Sequence, residues 1–224
     1  MTAGLPTSLE QPPPALAHDD PAAAAMPPVA ERISVAGTLL ETSRLMTELL
    51  RFVAPDVHQR TVRVTRVVRG LVEELGVGQP WEFEVAARLS QIGRLALPSA
   101  TRERLAAGEV LSDEDEQALA SHPLIARDLL AEVRRLDVVR EMVCRQREPY
   151  SVPGLPLGNR AALDRMTLGG QLLRVASDFD EQLSAGKSSD DAIASLNARG
   201  GEYSADVLAA LRRLVASTTA AAAA

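Results

Sequence analysis

Few side chains in this sequence are able to do chemistry, and their spacing limits what they could do. His58 and His122 lie well inside the chain, and Cys144 is its single cysteine. Two neutral imidazoles alone make a poor site for a hard divalent cation, which also wants carboxylate oxygen. In the stretch LSQIGRLALP, residues 89 to 98, an apolar lead enters Ser90-Gln91 and leaves through Gly93-Arg94 toward Pro98. Ser90 and Gln91 are neutral and supply no anionic ligand. Lys187 is the only lysine, so arginine carries nearly all the positive charge. Arg60, Arg63, Arg66 and Arg69 recur every three residues and sweep around a helix instead of lining one face. With Glu73 and Glu74 following, they read as a solvated, ion-paired surface. Cys144 stands beside Arg145 and Arg147, which would lower a thiol pKa, but no base or resolving cysteine accompanies it. It reads as a buried helix cysteine.

The elements that must hold these residues are helical. Hydrophobic residues make up 46% of the 224, enough for a substantial core, while aromatics make up only 3%. An aliphatic core of Leu, Val, Ile and Ala favours helix packing over a β-sandwich. Residues 31 to 53 carry Ile33, Leu39, Leu40, Leu45, Leu49, Leu50 and Val53 at spacings of three and four, and Pro55 follows. A second helix is expected over 56 to 75, ending at Gly76-Val77-Gly78, and a third opens at Pro80 and runs to Leu89. A short helix after Pro98 ends near Gly108. Ser112 is an N-cap for an acidic first turn, and Pro123 opens another helix through Leu124 to Val133. Helices over Val138 to Gln146, 161–183, 189–198 and 204–216 complete the pattern, with a Pro/Gly-rich loop over 149–159. The fold class is all-α. A disordered Pro/Ala-rich arm over 1–30 precedes one helical domain over 31–216, and an Ala-rich tail over 217–224 follows.

The net charge of −6 argues against nucleic acid, which is held by basic side chains neutralising phosphates. With one cysteine no intrachain disulfide can form, and no apolar run is long enough to cross a bilayer. The N-terminus has neither a basic n-region nor an unbroken apolar h-region, so the expected location is cytoplasmic.

Along residues 58 to 207 the order of motifs resembles the HD-GYP family, helical phosphodiesterases of bacterial signalling that hydrolyse cyclic di-GMP. His58 to Arg63 is similar to the family's early His-x-x-x-x-Arg helix. Leu89-Ser90-Gln91-Ile92-Gly93-Arg94 stands where the family has Leu-His-Asp-Ile-Gly-Lys. Leu111-Ser112-Asp113-Glu114 through His122-Pro123 is similar to its acidic helix ending in His-Pro. Gln146-Arg147-Glu148 and then Gly154-Leu155-Pro156 stand for His-His-Glu and Gly-Tyr-Pro. Val175 to Asp180 stands for Val-Ala-Asp-x-Phe-Asp, and Asp190-Asp191-Ala192 with Gly200-Gly201-Glu202-Tyr203 resembles the terminal element.

The resemblance implies a centre of two or three metal ions that generates hydroxide and offsets phosphodiester charge. It also implies that this chain has lost it. His58 and His122 are the retained, vestigial ligand positions; Ser90, Gln91, Gln146, Arg147 and Ser177 replace the others. Arginine cannot deprotonate to become a ligand. The expectation is no catalytic residue, no metal and no cofactor: a non-catalytic domain acting as a protein-interaction or regulatory module in signalling. His122 then serves to cap the helix starting at Pro123. An alternative uses Arg94, His122, Arg145 and Arg147, with Arg140 nearby, as a vestigial pocket that binds cyclic di-GMP or a related nucleotide without cutting it. A residual metal-dependent phosphodiesterase is the third reading. The loop 149–159 and the helix over 31–53 are candidate partner surfaces, the latter for a homodimer or another protein.

Overall fold

Prolines open two of the early helices, and glycines in left-handed conformation close two. The computed structural model describes residues 29–150 and 165–223, with side chains from residue 35 to 221. The first helix, α1, is Val29–Val53, and Ala54 separates it from α2, Pro55–Leu75. Pro55 fills the first turn, where no backbone N–H is needed, and Gly76 at φ 58° ends α2 with its N–H on the Glu73 carbonyl. α3 is Pro80–Leu89, followed by a 3₁₀ turn Ile92–Ala96 and by α4, Ser99–Ala107, which Gly108 closes at φ 68°. α5 is Asp113–Leu129 and α6 is Asp137–Cys144, continued by a 3₁₀ turn Arg145–Arg147. α7 is Arg165–Ser184, α8 is Ser189–Ala198 and α9 is Ala205–Ala223. Among the described residues there is no strand, as the all-α reading expects. Residues 1–28 of the arm expected over 1–30, residues 151–159 of the loop and the start of the 161–183 helix lie outside the described residues, while 29 and 30 belong to α1.

α2 is the pivot of the core. It packs against α1, α3, α7 and α9, and α7 in turn packs against α6 and α8. The filling is aliphatic: Val64, Val68 and Leu71 of α2 meet Ala86 of α3, Met142 and Val143 of α6, Leu172 and Val175 of α7, and Leu211 of α9. Among the described residues Phe83, at 1% exposed, is the most deeply buried ring. Close approach depends on glycine at Gly70, where a Cβ would strike Leu214 of α9, and at Gly169, where it would strike Met142.

Two expectations change. Pro123 does not begin a helix: α5 runs through it from Asp113 to Leu129, while residues 130–136 are turns. The Ser112 cap does form. Its Oγ accepts from the Asp115 N–H at 3.2 Å, and Asp115 Oδ2 accepts from the Ser112 N–H at 3.2 Å. That cap, with four acids in the first turn, starts the helix strongly enough to carry it past the proline. The second change is at the C-terminus, where residues 217–223 continue α9 as helix instead of forming a separate tail. Alanine is the best helix former, and nothing in the segment breaks the run.

Gly93 joins the first 3₁₀ turn to α5. A Cβ there would land on the His122 carbonyl oxygen, backbone that cannot step aside. Gly93→Ala is therefore expected to cost about 2–3 kcal/mol in urea unfolding. Gly37→Ala in α1, where nothing lies within 4 Å of the new methyl, should be neutral or slightly stabilising.

Candidate functional site

Where α3 ends, four elements converge on a buried polar network. Ser90 follows the last residue of α3 and is fully buried, its Oγ donating to the Ala87 carbonyl at 2.9 Å. Gln91, equally buried, donates from Nε2 to Ser90 Oγ at 3.0 Å. Gln146, in the turn after α6, donates to the Ser90 carbonyl at 3.1 Å and to that of Val143 at 2.9 Å. The amides and hydroxyl thus spend their capacity on one another and on backbone.

Into this network α2 sends Arg60. Its Nε donates to Gln91 Oε1 at 3.2 Å, its Nη1 to Asp180 Oδ2 at 3.2 Å and its Nη2 to the Ser177 carbonyl at 3.1 Å. Asp180 of α7 is 2% exposed, and Arg63 also donates to it from Nε and Nη2. The expectation of a solvated arginine face therefore fails for Arg60, whose side chain is 12% exposed and turns inward to the carboxylate; Arg63 pairs with it from the exposed side. Arg66 and Arg69 remain exposed, with Arg69 3.9 Å from Glu84. The signal for Arg60 was in the sequence. It lies three residues after Val57 and four before Val64, on the buried stripe of α2. Asp180 likewise falls four residues after Ala176, on the inner stripe of α7.

His122 does not cap a helix. It is buried in the middle of α5, and its position follows from Pro123. A proline at 123 cannot donate to the Leu119 carbonyl one turn back, and that acceptor is left open. His122 Nδ1 takes it at 2.6 Å. The proton must then be on Nδ1, because a carbonyl only accepts, and Nε2 is a bare, buried lone pair without a partner. Burial, then the charge of Arg94, then those of Arg147 and Arg60 push the imidazole down to about 3, against the opposing bond to Leu119. It is neutral at ordinary pH.

Arg94 is the other unusual group. It is 8% exposed, and its Nε has no hydrogen-bond partner. Burial and the charges of Arg60 and Arg147 bring its guanidinium down to about 9, with Glu181 and Asp180 acting the other way. Of the pocket expected from sequence, Arg94, His122 and Arg147 are thus close enough to influence one another, with Arg147 at the exposed rim. Arg145 turns to α7 and donates to Thr167 Oγ1 at 3.0 Å, and Arg140 pairs with Asp137 at 3.0 Å. A Cβ at Gly170 would meet the Cβ and carbonyl of Arg145, so α7 passes close to this residue. His58 also stands apart. Its Nε2 is 3.9 Å from Glu48 Oε1 of α1, and no hydrogen bond ties it to the network. Cys144 is a partly buried free thiol at the end of α6. Gly154-Leu155-Pro156 lies outside the described residues.

The matched positions Ser90, Gln91, Gln146 and Ser177, scattered through the sequence, therefore meet around Arg60. The family model described as HD domain matches residues 44–207. The chain belongs to the HD domain family. No curated protein matches it. No described helix is long and apolar enough to cross a membrane.

The metal centre that the resemblance implies does not fit these residues. The donors are two side-chain amides and two hydroxyls, and the strongest local acceptor, Asp180, is held by two guanidinium groups. Among the described residues no three His, Cys, Asp or Glu side chains are grouped to hold an ion. A divalent cation would have to displace or repel the Arg60 guanidinium and would bear on that of Arg94.

Two measurements follow from this geometry. Asp180→Ala leaves Arg60 buried without its counter-charge and is expected to cost about 3 kcal/mol. Asp128→Ala, which removes an exposed pair with Arg127, should change little. The second concerns acid. Between its ordinary value near 6.5 and its folded value of about 3, His122 binds a proton only in the unfolded chain. Its contribution to stability is present above pH 6.5 and is lost as pH falls through this window, by up to about 1.4 kcal/mol per unit. The stability difference between wild type and His122→Gln should therefore shift against wild type from pH 7 to pH 4; parallel curves would contradict a buried neutral imidazole.

Proposed function

We propose that this chain is a non-catalytic HD domain, patterned on the HD-GYP phosphodiesterases, that acts as a protein-interaction and regulatory module in bacterial signalling. One observation carries the reading: the guanidinium of Arg60 is bonded to Gln91, to the Ser177 carbonyl and to Asp180, among the positions where relatives by resemblance hold metal. Hydrolysis of a phosphodiester at neutral pH requires a water made acidic, and a cation of fixed protonation surrounded by amides supplies neither Lewis acid nor base. A fold keeps its frame when its chemistry is lost, because the frame is encoded in the core. Ala86, Leu89 and Leu97 remain buried around the substituted pair.

A specific observation favours a second role beside the first. Arg94 is buried with an unused N–H, and Arg147 adds charge at the rim, which suits retention of a phosphate group. A cyclic dinucleotide such as cyclic di-GMP would then be a ligand that is held and not cut.

The deciding experiment is metal content after incubation of the purified protein with manganese, iron and zinc. Well below one equivalent is expected, unchanged by His58→Ala with His122→Ala. One or more equivalents lost in that double variant would overturn the non-catalytic reading in favour of a residual phosphodiesterase. Calorimetric titration with cyclic di-GMP separates the second role: heat abolished by Arg94→Met supports it, and no heat with wild type removes it.

A further inference from the structure

The 3₁₀ turn Ile92–Ala96 lies directly on α5: Gly93 approaches the His122 carbonyl too closely to carry a Cβ, and the next residue is Arg94. Two side chains outside the Arg60 network therefore start from neighbouring positions. Arg94 is 8% exposed and its Nε donor has no partner; His122 is 3% exposed and its Nε2 has none either. The two are opposite in kind. With Nδ1 donating to Leu119, Nε2 can only accept, whereas a guanidinium can only donate. Ser177 Oγ, a hydroxyl that does both, is buried and unpartnered as well, and the carbonyl of the same residue accepts from Arg60.

Charge is out of balance at the same place. Arg94, Arg147 and Arg60 all act on His122, and Arg60 and Arg147 act on Arg94. The carboxylates that act on Arg94, Glu181 and Asp180, do so through space, and Asp180 is already bonded to Arg60 and Arg63. A buried guanidinium without an acceptor is costly, and an anion that reaches it removes that cost. The field that repels a divalent cation attracts an anion.

We propose that Arg94, His122 and Ser177 form a site for inorganic phosphate, entered from the side of the exposed Arg147. The anionic oxygens accept from Arg94, and the O–H that this ion keeps at neutral pH donates to His122 Nε2. Sulfate has the same shape but no proton, so it sets an anionic oxygen against the imidazole lone pair and leaves that acceptor unmet. A phosphodiester brings no O–H on its phosphate either. The arginine holds the oxyanion, and the imidazole chooses which one. This inference deepens the phosphate-retaining role of Arg94 proposed above and rests on it.

The test is calorimetric titration of the full chain, in a buffer free of phosphate and metal, with inorganic phosphate and with sulfate. Circular dichroism confirms the fold of each variant. Wild type is expected to bind phosphate at least about tenfold more tightly than sulfate. Arg94→Met should abolish binding of both. His122→Asn keeps an amide N–H at the place of Nδ1 for the Leu119 carbonyl and has no acceptor at that of Nε2, so it should lower phosphate affinity to that of sulfate. Equal affinity for the two ions in wild type overturns the proposal, and so does a preference that survives His122→Asn. No binding at millimolar phosphate, or binding untouched by Arg94→Met, overturns it as well. If neither variant folds, the wild-type ratio of the two ions decides. Cyclic di-GMP titrated alongside separates the two readings. Heat with the dinucleotide and none with phosphate removes this site and leaves the dinucleotide role standing, whereas a phosphate preference without dinucleotide heat does the reverse.

Discussion

Arg60 and Asp180 lie 120 residues apart in sequence and meet through a 3.2 Å hydrogen-bonded ion pair under the end of α3. Much of the centre depends on that contact. Asp180 is almost wholly buried, so its charge is tolerable only with Arg60 and Arg63 in place. Arg60 in turn fixes Gln91 and the Ser177 carbonyl, which sets α2, the end of α3 and α7 in one register. A buried ion pair adds little net stability over a well-packed apolar core, but its partners must be present together. The network is therefore better understood as a device of position than as a source of folding energy, most of which resides in the aliphatic contacts around α2.

Several helices were legible in the sequence because they begin or end with a local signal. Pro55, Pro80 and Ser112 open elements, Gly76 and Gly108 close them, and those signals act through backbone geometry within a few residues. The network was legible only in part. Ser90, Gln91, Gln146 and Ser177 could be picked out by position, but a spacing of three along residues 60 to 69 hid the fact that Arg60 stands on the buried stripe. Val57 and Val64 mark that stripe locally, but the carboxylate that Arg60 meets there is on a distant helix, and no local pattern carries that information. The same holds for Arg145, one of whose partners, Thr167, lies on α7.

Pro123 shows a different limit. A proline after a polar residue reads as a helix start, and it does stop the backbone ladder locally. Here the side chain of the preceding residue occupies the carbonyl that the proline leaves open. The ring of His122 completes the turn, so the helix continues, and the same bond determines the tautomer and leaves Nε2 without a donor. One substitution pattern thus has consequences at two levels: a continuous α5, and a neutral base facing the field of three arginines.

The C-terminal half of α1 links this centre to the surface. Glu48 reaches toward His58, and Arg44 approaches Glu84 at 3.6 Å, so the helix is tied by charge as well as by Leu50 and Ala54 to α2 and α3. Its inner face is fixed on the elements that the Arg60 network holds in register. A helix seated in this way cannot turn its outer stripe inward to hide Leu49 or Phe52 without taking Leu50 out of its buried cluster with Ala54 and Val57. The apolar face is consequently held out to solvent by the rigidity of the domain behind it, and covering it from outside is the arrangement that reduces its contact with water.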